Sequence, residues 1–455
     1  MASTNNDYDT IVIGAGAAGL AAAATLLSQG QAVCILEARE RIGGRIFTLT
    51  DATVPVPVEL GAEFIHGRSP AIFRQLDRSG QFAVDASHTR FTVRDGRLQG
   101  GDSIFERMME SLGAIARPSR DLPFAEFLER HRRTLSKPVR MLARALVEGF
   151  DAADATRVST LEILKEWSGS SAAGAPAFRP SLGYGALLQD LAGTFDPGRT
   201  SLRLGAAVHE VRWKHGHAVV SATHYGQLMR VNGAQVVIAV PLGVLQLPPR
   251  ASGAIRFDPE LREKRPALSG LAVGPVIKIV AHFCRAFWAE IDAGRYHDGA
   301  FFHCPDAPFP TCWTTLPSRT RVLNLWAAGP NAARLAGQRR AAVLQLALES
   351  LASMFGPRRD YRSLLEAVHW HDWQQDNYAC GAYSYPLVNG ARARKLLARP
   401  MDGTLFFAGE ATDSTEAGSV GGALASGERA ALEILRLGDE RRTRKHRRSS
   451  GTGRA

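Results

Sequence analysis

The chain has 455 residues, 45% of them hydrophobic and 22% charged, with a formal net charge of +11. This is longer than one ordinary domain and apolar enough for a large core, which excludes a disordered or low-complexity protein. No apolar run reaches the roughly 20 residues that span a bilayer, and the polar, acidic stretch Met1 to Asp9 leaves no room for a secretory leader, so a soluble, cytoplasmic protein is expected.

The first predicted strand, Ile11-Val12-Ile13, runs into Gly14-Ala15-Gly16-Ala17-Ala18-Gly19, which opens an alanine-rich helix. This spacing sets a pyrophosphate on a helix N-terminus: Gly14 makes the turn, Gly16 admits the phosphates, and Gly19 lets helix pack on strand. A second buried strand, Ala32 to Leu36, ends in Glu37, where a carboxylate accepts both ribose hydroxyls and repels a 2′-phosphate. A dinucleotide without that phosphate is expected. The following residues, Ala38-Arg39-Glu40-Arg41-Ile42-Gly43-Gly44-Arg45, combine paired glycines with three arginines, both suited to phosphate oxygens.

The run from Glu37 to Arg45 resembles the EARxRxGGR signature of the flavin-containing amine oxidases. Glu59-Leu60-Gly61-Ala62-Glu63-Phe64-Ile65-His66-Gly67 is similar to the GAxWIHG segment of polyamine and spermine oxidases. The likeness continues through Arg179 to Leu188, Val208 to Val211, Val236 to Leu245, Gly274 to Phe283, Trp373 to Tyr385 and Gly409 to Ala430. It implies noncovalently bound FAD. Its contacts would come from Gly14, Gly16, Ala18, Gly19, Glu37, Ala38, Arg39, Gly43, Gly44 and Arg45. Gly61, Ala62, Glu63, Phe64, Val208 and Trp373 would add to them, with Gly409, Glu410, Gly418, Ser419 and Val420 completing the set.

Helical periodicity follows at Met141 to Phe150 and Ala341 to Phe355, and strands at Gly274 to Phe283 and Val322 to Ala327. Lys278 falls inside an apolar strand, where an ammonium needs partners. The resemblance makes it the lysine that bonds, through a water, to the flavin N5. Trp370, Trp373, Tyr378, Tyr383 and Tyr385 form a dense aromatic cluster. By the same resemblance Tyr383 is the cage tyrosine whose face holds a substrate nitrogen. Ala382 occupies the position where monoamine oxidases attach flavin through cysteine, and Ser419 replaces their second cage tyrosine. His66 is a candidate to bond substrate or accept a proton. Glu63 departs from the small or polar residue usual there; it either faces the cavity and attracts a cationic amine or bonds loop backbone.

The last apolar run, Leu405 to Ala408, leads into Gly409-Glu410-Ala411-Thr412, read as the opening of a second helix. Beyond it, Arg441 to Arg448 is strongly basic and without apolar residues, so a disordered, solubilising tail is expected over 439–455.

These segments imply an α/β fold with a Rossmann-type FAD-binding domain and an interleaved α+β substrate domain. Amine oxidases and p-hydroxybenzoate hydroxylase share this two-domain architecture. The expected FAD-binding pieces are 1–70, 196–255 and 390–438, and the substrate-binding pieces 71–195 and 256–389. The implied activity is oxidation of a polyamine or other primary or secondary amine. Dioxygen would be the acceptor and hydrogen peroxide a product, with Lys278, Tyr383 and His66 as catalytic candidates. A desaturase or dehydrogenase of the same fold, acting on a non-amine substrate, is the alternative. Cys34, Cys284, Cys304, Cys312 and Cys380 lack paired metal spacing, so free thiols and no metal are expected. Nucleic acid is not an expected partner, and the chain is read as a monomer or homodimer.

Overall fold

The computed structural model describes residues 8–101, 103–168 and 175–451, with Ser103 and 440–451 described by backbone alone. The chain divides into two compact units, each assembled from separate stretches. The first comprises residues up to Gly44, Leu188–Leu268 and Arg394 onward; the second comprises Arg45–Leu187 and Ser269–Ala393.

The first unit is built on an eight-stranded sheet. Tyr8–Ile13 lies parallel between Val33–Leu36 and the end of the long strand Gln227–Ile238, with Ile11 opposite Val236 and Ile13 opposite Ile238. Leu405–Phe407 joins the other side of Gln227–Ile238, also parallel, so segments nearly four hundred positions apart share one sheet. Thr200–Arg203 extends the sheet beyond Val33–Leu36, and an antiparallel meander, Ala206–Lys214, His217–His224 and Gln227–Ile238, forms its other half. Ile11, Val12, Val33, Ile35, Val236, Val237 and Leu405 are fully buried or nearly so, because a parallel strand is covered on both faces. Each such side chain contributes about 1.5–3 kcal/mol relative to exposure.

Helix Ala17–Ser28 covers this sheet, and the last helix, Val420–Gly451, lies against it. A β-carbon on Gly427 would sit 2.1 Å from the Ala18 carbonyl oxygen, so glycine permits that close approach.

In the second unit a seven-stranded sheet runs in the order Leu365–Asp372, Val276–Phe283, Val322–Ala328, Thr311–Thr314, Phe301–His303, Arg90–Arg94, Arg97–Gly100. Helix Arg340–Phe355 packs into its core. A helical cluster (Phe124–Arg130, Lys137–Gly149, Thr160–Trp167) forms a second core around Phe124, Phe127 and Val147. Ile65–His66, Ala83–Asp85 and Ala177–Pro180 form a small sheet.

The fold is α/β as the motifs imply, but three expectations change. Residues 45–70, expected among the FAD-binding pieces, group with the second unit, to which Ile65–His66 is tied by pairing with Ala177–Pro180 and Glu63 by its bond from Lys278. Gly409 opens only a single 3-10 turn, Glu410–Thr412, and the helix proper starts at Val420. That helix continues to Gly451, into the segment expected to be disordered, whose last residues, 452–455, lie outside the described residues.

Candidate active site

In the first unit the turn after Tyr8–Ile13 has the shape the glycines foretell. Gly14 has φ +102°, and a β-carbon there would lie 2.9 Å from the Ala239 carbonyl oxygen. At Gly19 it would lie 1.9 Å from the Gly14 carbonyl oxygen. Around Gly16 the nearest such neighbour, the Gly43 carbonyl oxygen, is 3.7 Å away, so this face is open to a ligand. No side chain caps the N-terminus of Ala17–Ser28, leaving its first amides, near Ala18, to an anion.

The buried Glu37 carboxylate accepts from the Ala15 amide at 2.8 Å and the Arg39 amide at 2.9 Å, so Glu37, Ala38 and Arg39 wrap the end of the second strand. Gly43 and Gly44 have φ +104° and +59°, and Gly43 donates to the Ala15 carbonyl at 2.8 Å, bringing a second glycine loop beside Gly16. The Ala206 amide donates to the Glu37 carbonyl at 2.8 Å, two residues before Val208, where strand register slips between Val208 and Glu210.

At the other end of the sheet Gly409, φ +131°, leads into buried Glu410, with Arg394 3.9 Å from its carboxylate. Gly418, φ +71°, precedes Ser419. The Ser419 hydroxyl accepts from the Gly422 amide at 3.0 Å and donates to the Glu416 carbonyl at 2.6 Å, so it caps the last helix, whose first residue is Val420. The open turns, uncapped helix and buried carboxylate fit a flavin dinucleotide.

In the second unit Lys278 lies on Val276–Phe283 and is 1% exposed. Its Nζ donates to Glu63 Oε2 at 2.7 Å and to the Gly61 carbonyl at 3.3 Å, and stands 5.2 Å over the Trp313 ring. Glu63 also accepts from Arg179 Nε at 2.8 Å and from Trp313 Nε1 at 3.0 Å to each oxygen. Neither sequence reading of Glu63 holds: its carboxylate binds two cations and an indole, because the loop turns it onto the lysine strand. Burial pushes the Glu63 carboxyl up, but the charges of Lys278 and Arg179 and their hydrogen bonds outweigh it and hold the group below its usual range.

Tyr383 is joined through backbone to the link that leads into the lysine strand: the Gly274 amide donates to its carbonyl at 2.9 Å, and the Ala382 amide to the Gly274 carbonyl at 2.8 Å. Its hydroxyl donates to the Phe150 carbonyl oxygen. Burial, then the nearby Asp151 and Glu166 charges, raise its phenol well above the ordinary value. Arg45 donates to the Ala382 carbonyl, and Trp373 Nε1 to the Leu60 carbonyl at 2.9 Å, so Arg45, Gly61, Ala62 and Trp373 converge near this strand end.

His66 is flanked by Phe64 at 5.9 Å and Phe150 at 5.1 Å between ring centroids. Burial pushes its pKa down to about 4, so the ring is neutral at neutral pH and is a hydrogen-bonding group rather than a proton acceptor there.

Sequence reasoning missed Arg179, Trp313 and Asp151. Arg179 and Trp313 lie 116 and 250 residues from Glu63, so only strand pairing reveals them. Asp151 is a buried carboxyl beside Phe150, bonded by Trp167 Nε1 at 3.2 Å; burial first, then Glu166, raise it well above the carboxylate range. Its only sequence signal was an acid directly following an apolar helix. Cys304 and Cys312, eight residues apart in sequence, are both free thiols.

The dinucleotide cradle and the buried lysine define a flavin-dependent oxidoreductase. The chain belongs to the flavin containing amine oxidoreductase family, whose sequence profile matches residues 17–435. It is 30% identical to polyamine oxidase 2 of Arabidopsis thaliana, over 92% of this chain and 86% of that one. It is 25% identical to lysine-specific histone demethylase 1B of Mus musculus, over 94% of this chain but 53% of that one. Its fold is shared with cyclohexylamine oxidase from Brevibacterium oxydans, with a TM-score of 0.77, 21% identity and coverage of 95% and 100% of the two chains. Among the described residues no helix is long and apolar enough to cross a membrane, and no group of three or more His, Cys, Asp or Glu residues is arranged to hold a metal.

Proposed function

We propose that the protein oxidises a polyamine or another primary or secondary amine at the carbon next to nitrogen. The imine would be hydrolysed to a carbonyl compound and ammonia or a shorter amine. In the first unit Gly14, Gly16 and Gly19 would admit the pyrophosphate of FAD, Glu37 its ribose, and Val208 its adenine. Gly43, Gly44, Glu410 and the start of the last helix would hold the remainder, without a covalent bond. When bound, the flavin supplies the two-electron acceptor and passes its electrons to dioxygen, giving hydrogen peroxide.

The residues of the second unit bind and orient. Tyr383 offers its ring face to the amine nitrogen, an attraction of about 0.5–2 kcal/mol for a cation; the bond from its hydroxyl to Phe150 fixes that ring. His66, neutral and flanked by aromatic rings, accepts a hydrogen bond from the amine at a ring nitrogen. Lys278 presents an ammonium from a buried strand whose other residues, His282 apart, are apolar.

The observation that carries this reading is the backbone tie of Gly274 to Tyr383 and Ala382, which holds the tyrosine against the link leading into the lysine strand within one unit. The five free cysteines support a reducing, cytoplasmic setting. The test is anaerobic reduction of the bound flavin by a panel of mono-, di- and polyamines and aromatic amines, with release of FAD on denaturation. At least one amine should bleach the flavin absorbance; a fully loaded protein that no amine bleaches would overturn the proposal.

A further inference from the structure

Glu63 has no acceptor capacity left. A carboxylate offers about four lone-pair sites, and the protein fills them with Lys278 Nζ at 2.7 Å, Arg179 Nε at 2.8 Å and Trp313 Nε1 at 3.0 Å to both oxygens. It therefore has nothing to offer a substrate cation. Its two cations are themselves restrained. The terminal nitrogens of Arg179 donate to the carbonyls of Leu316 at 2.8 Å and Thr314 at 3.1 Å, and its guanidinium lies 4.4 Å over Phe64. Lys278 also donates to the Gly61 carbonyl at 3.3 Å. An ammonium has three donors, and two of those on Lys278 are committed to the Gly61–Glu63 loop.

We infer that Glu63 is a positioning residue for Lys278: it fixes the buried ammonium in one orientation, supplies its counter-charge, and leaves a single N–H to serve the flavin or a water beside it. This rests on the flavin oxidase reading above. The other titratable or charged groups facing the lysine are few. Glu59, on the same loop, is pushed up to about 7, by burial first of all. Arg179 shares Glu63. His371 stands opposite Lys278 on Leu365–Asp372 and bonds Asp376 at 3.1 Å. On the other neighbouring strand the opposing residue is Trp326, which is uncharged. Among the described residues only Glu63 touches the ammonium with a negative charge.

The test needs no amine. Holoenzymes carrying Glu63→Gln, Glu63→Asp, Lys278→Met and the Gln/Met pair are reduced with dithionite and mixed with oxygenated buffer across the neutral to alkaline range. The spectrum of the oxidised flavin is titrated over the same range. In Glu63→Gln the midpoint of the reoxidation profile should move to lower pH by about one to three units, as expected when a buried cation loses its counter-charge, with a parallel change in the spectral titration. Glu63→Asp should restore the wild-type profile, and adding Lys278→Met should abolish the shift. A Glu63→Gln enzyme that tracks wild type in both readouts overturns the inference, as does a shift that survives without Lys278. Should Glu63→Gln not fold, wild type and Lys278→Met decide. If they share one rate, profile and spectrum, Lys278 does not serve the flavin and Glu63 has nothing to position. A protein that passes these tests while no amine reduces it would instead sink only the amine assignment.

Discussion

The Glu37 carboxylate lies 2.8 Å from the Ala15 amide, tying the end of the second strand to the glycine turn that follows the first. One side chain thus braces the turn and, on the proposal above, would also receive the ribose of the dinucleotide. Glu37→Gln should weaken FAD binding about ten- to a hundredfold, the equivalent of losing about 1.5–3 kcal/mol from hydrogen bonds to a charged group. Titration of the flavin-free protein with FAD measures this, and an unchanged dissociation constant would remove Glu37 from the ribose site.

Two neighbouring glycines should respond in opposite ways. In Gly19→Ala the new methyl would lie 1.9 Å from the Gly14 carbonyl oxygen, a clash with backbone that nothing flexible relieves. Its cost should reach about 3 kcal/mol or more, the upper end for overpacking, seen as a lower thermal midpoint of the flavin-free protein. Gly16→Ala meets nothing closer than 3.7 Å and should fold normally, yet it should bind FAD poorly because the methyl occupies the open face.

Glu59 should make stability depend on pH. Burial raises its pKa from 4.5 to about 7 despite bonds from Thr48 and Tyr184. Between those values the folded state keeps a proton that the unfolded state has lost, so stability falls as pH rises from about 4.5 to about 7. The expected loss is about 3 kcal/mol. Denaturant unfolding at either end of this window, compared with Glu59→Gln, checks it; the variant should flatten the dependence.

For His66 the sign is reversed. Its folded pKa of about 4 lies below the ordinary 6.5, so the unfolded state binds the proton first and stability drops as pH falls through that interval. His66→Gln should remove this acid sensitivity while also weakening amine-dependent flavin reduction, measured in the same anaerobic assay.

Tyr383→Phe keeps the ring but strands the Phe150 carbonyl, costing about 1–3 kcal/mol of stability. Amine-dependent reduction should survive in Tyr383→Phe and fall by roughly tenfold in Tyr383→Ala, where the cation–π face is gone.

The dinucleotide cradle was legible because its demands are local: glycine at fixed spacing, an apolar strand before it, an acid after the next strand. The buried lysine was legible from its apolar neighbours. Its counter-charge was only half so, since Glu63 stood out as unusual but its partners lie on other strands. Arg179 and Trp313 reach it by tertiary pairing, which no local pattern encodes. Ser419 illustrates a competing demand, for its hydroxyl serves the helix end as an ordinary N-cap. Composition says what the basic segment cannot bury; it does not say where a helix anchored upstream stops, since continuing a helix needs no new nucleus.

Threading the first sheet from both extremes of the polypeptide has a consequence for biogenesis. On the ribosome Tyr8–Ile13 and Val33–Leu36 emerge first, whereas Leu405–Phe407, which pairs with Gln227–Ile238, and Gly427, which closes over Ala18, emerge nearly four hundred residues later. Throughout that delay the alanine-rich helix and one edge of the Gln227–Ile238 strand stay uncovered. Apolar surface that the folded protein buries is therefore exposed on the nascent chain for most of its synthesis, the condition under which partly folded chains aggregate.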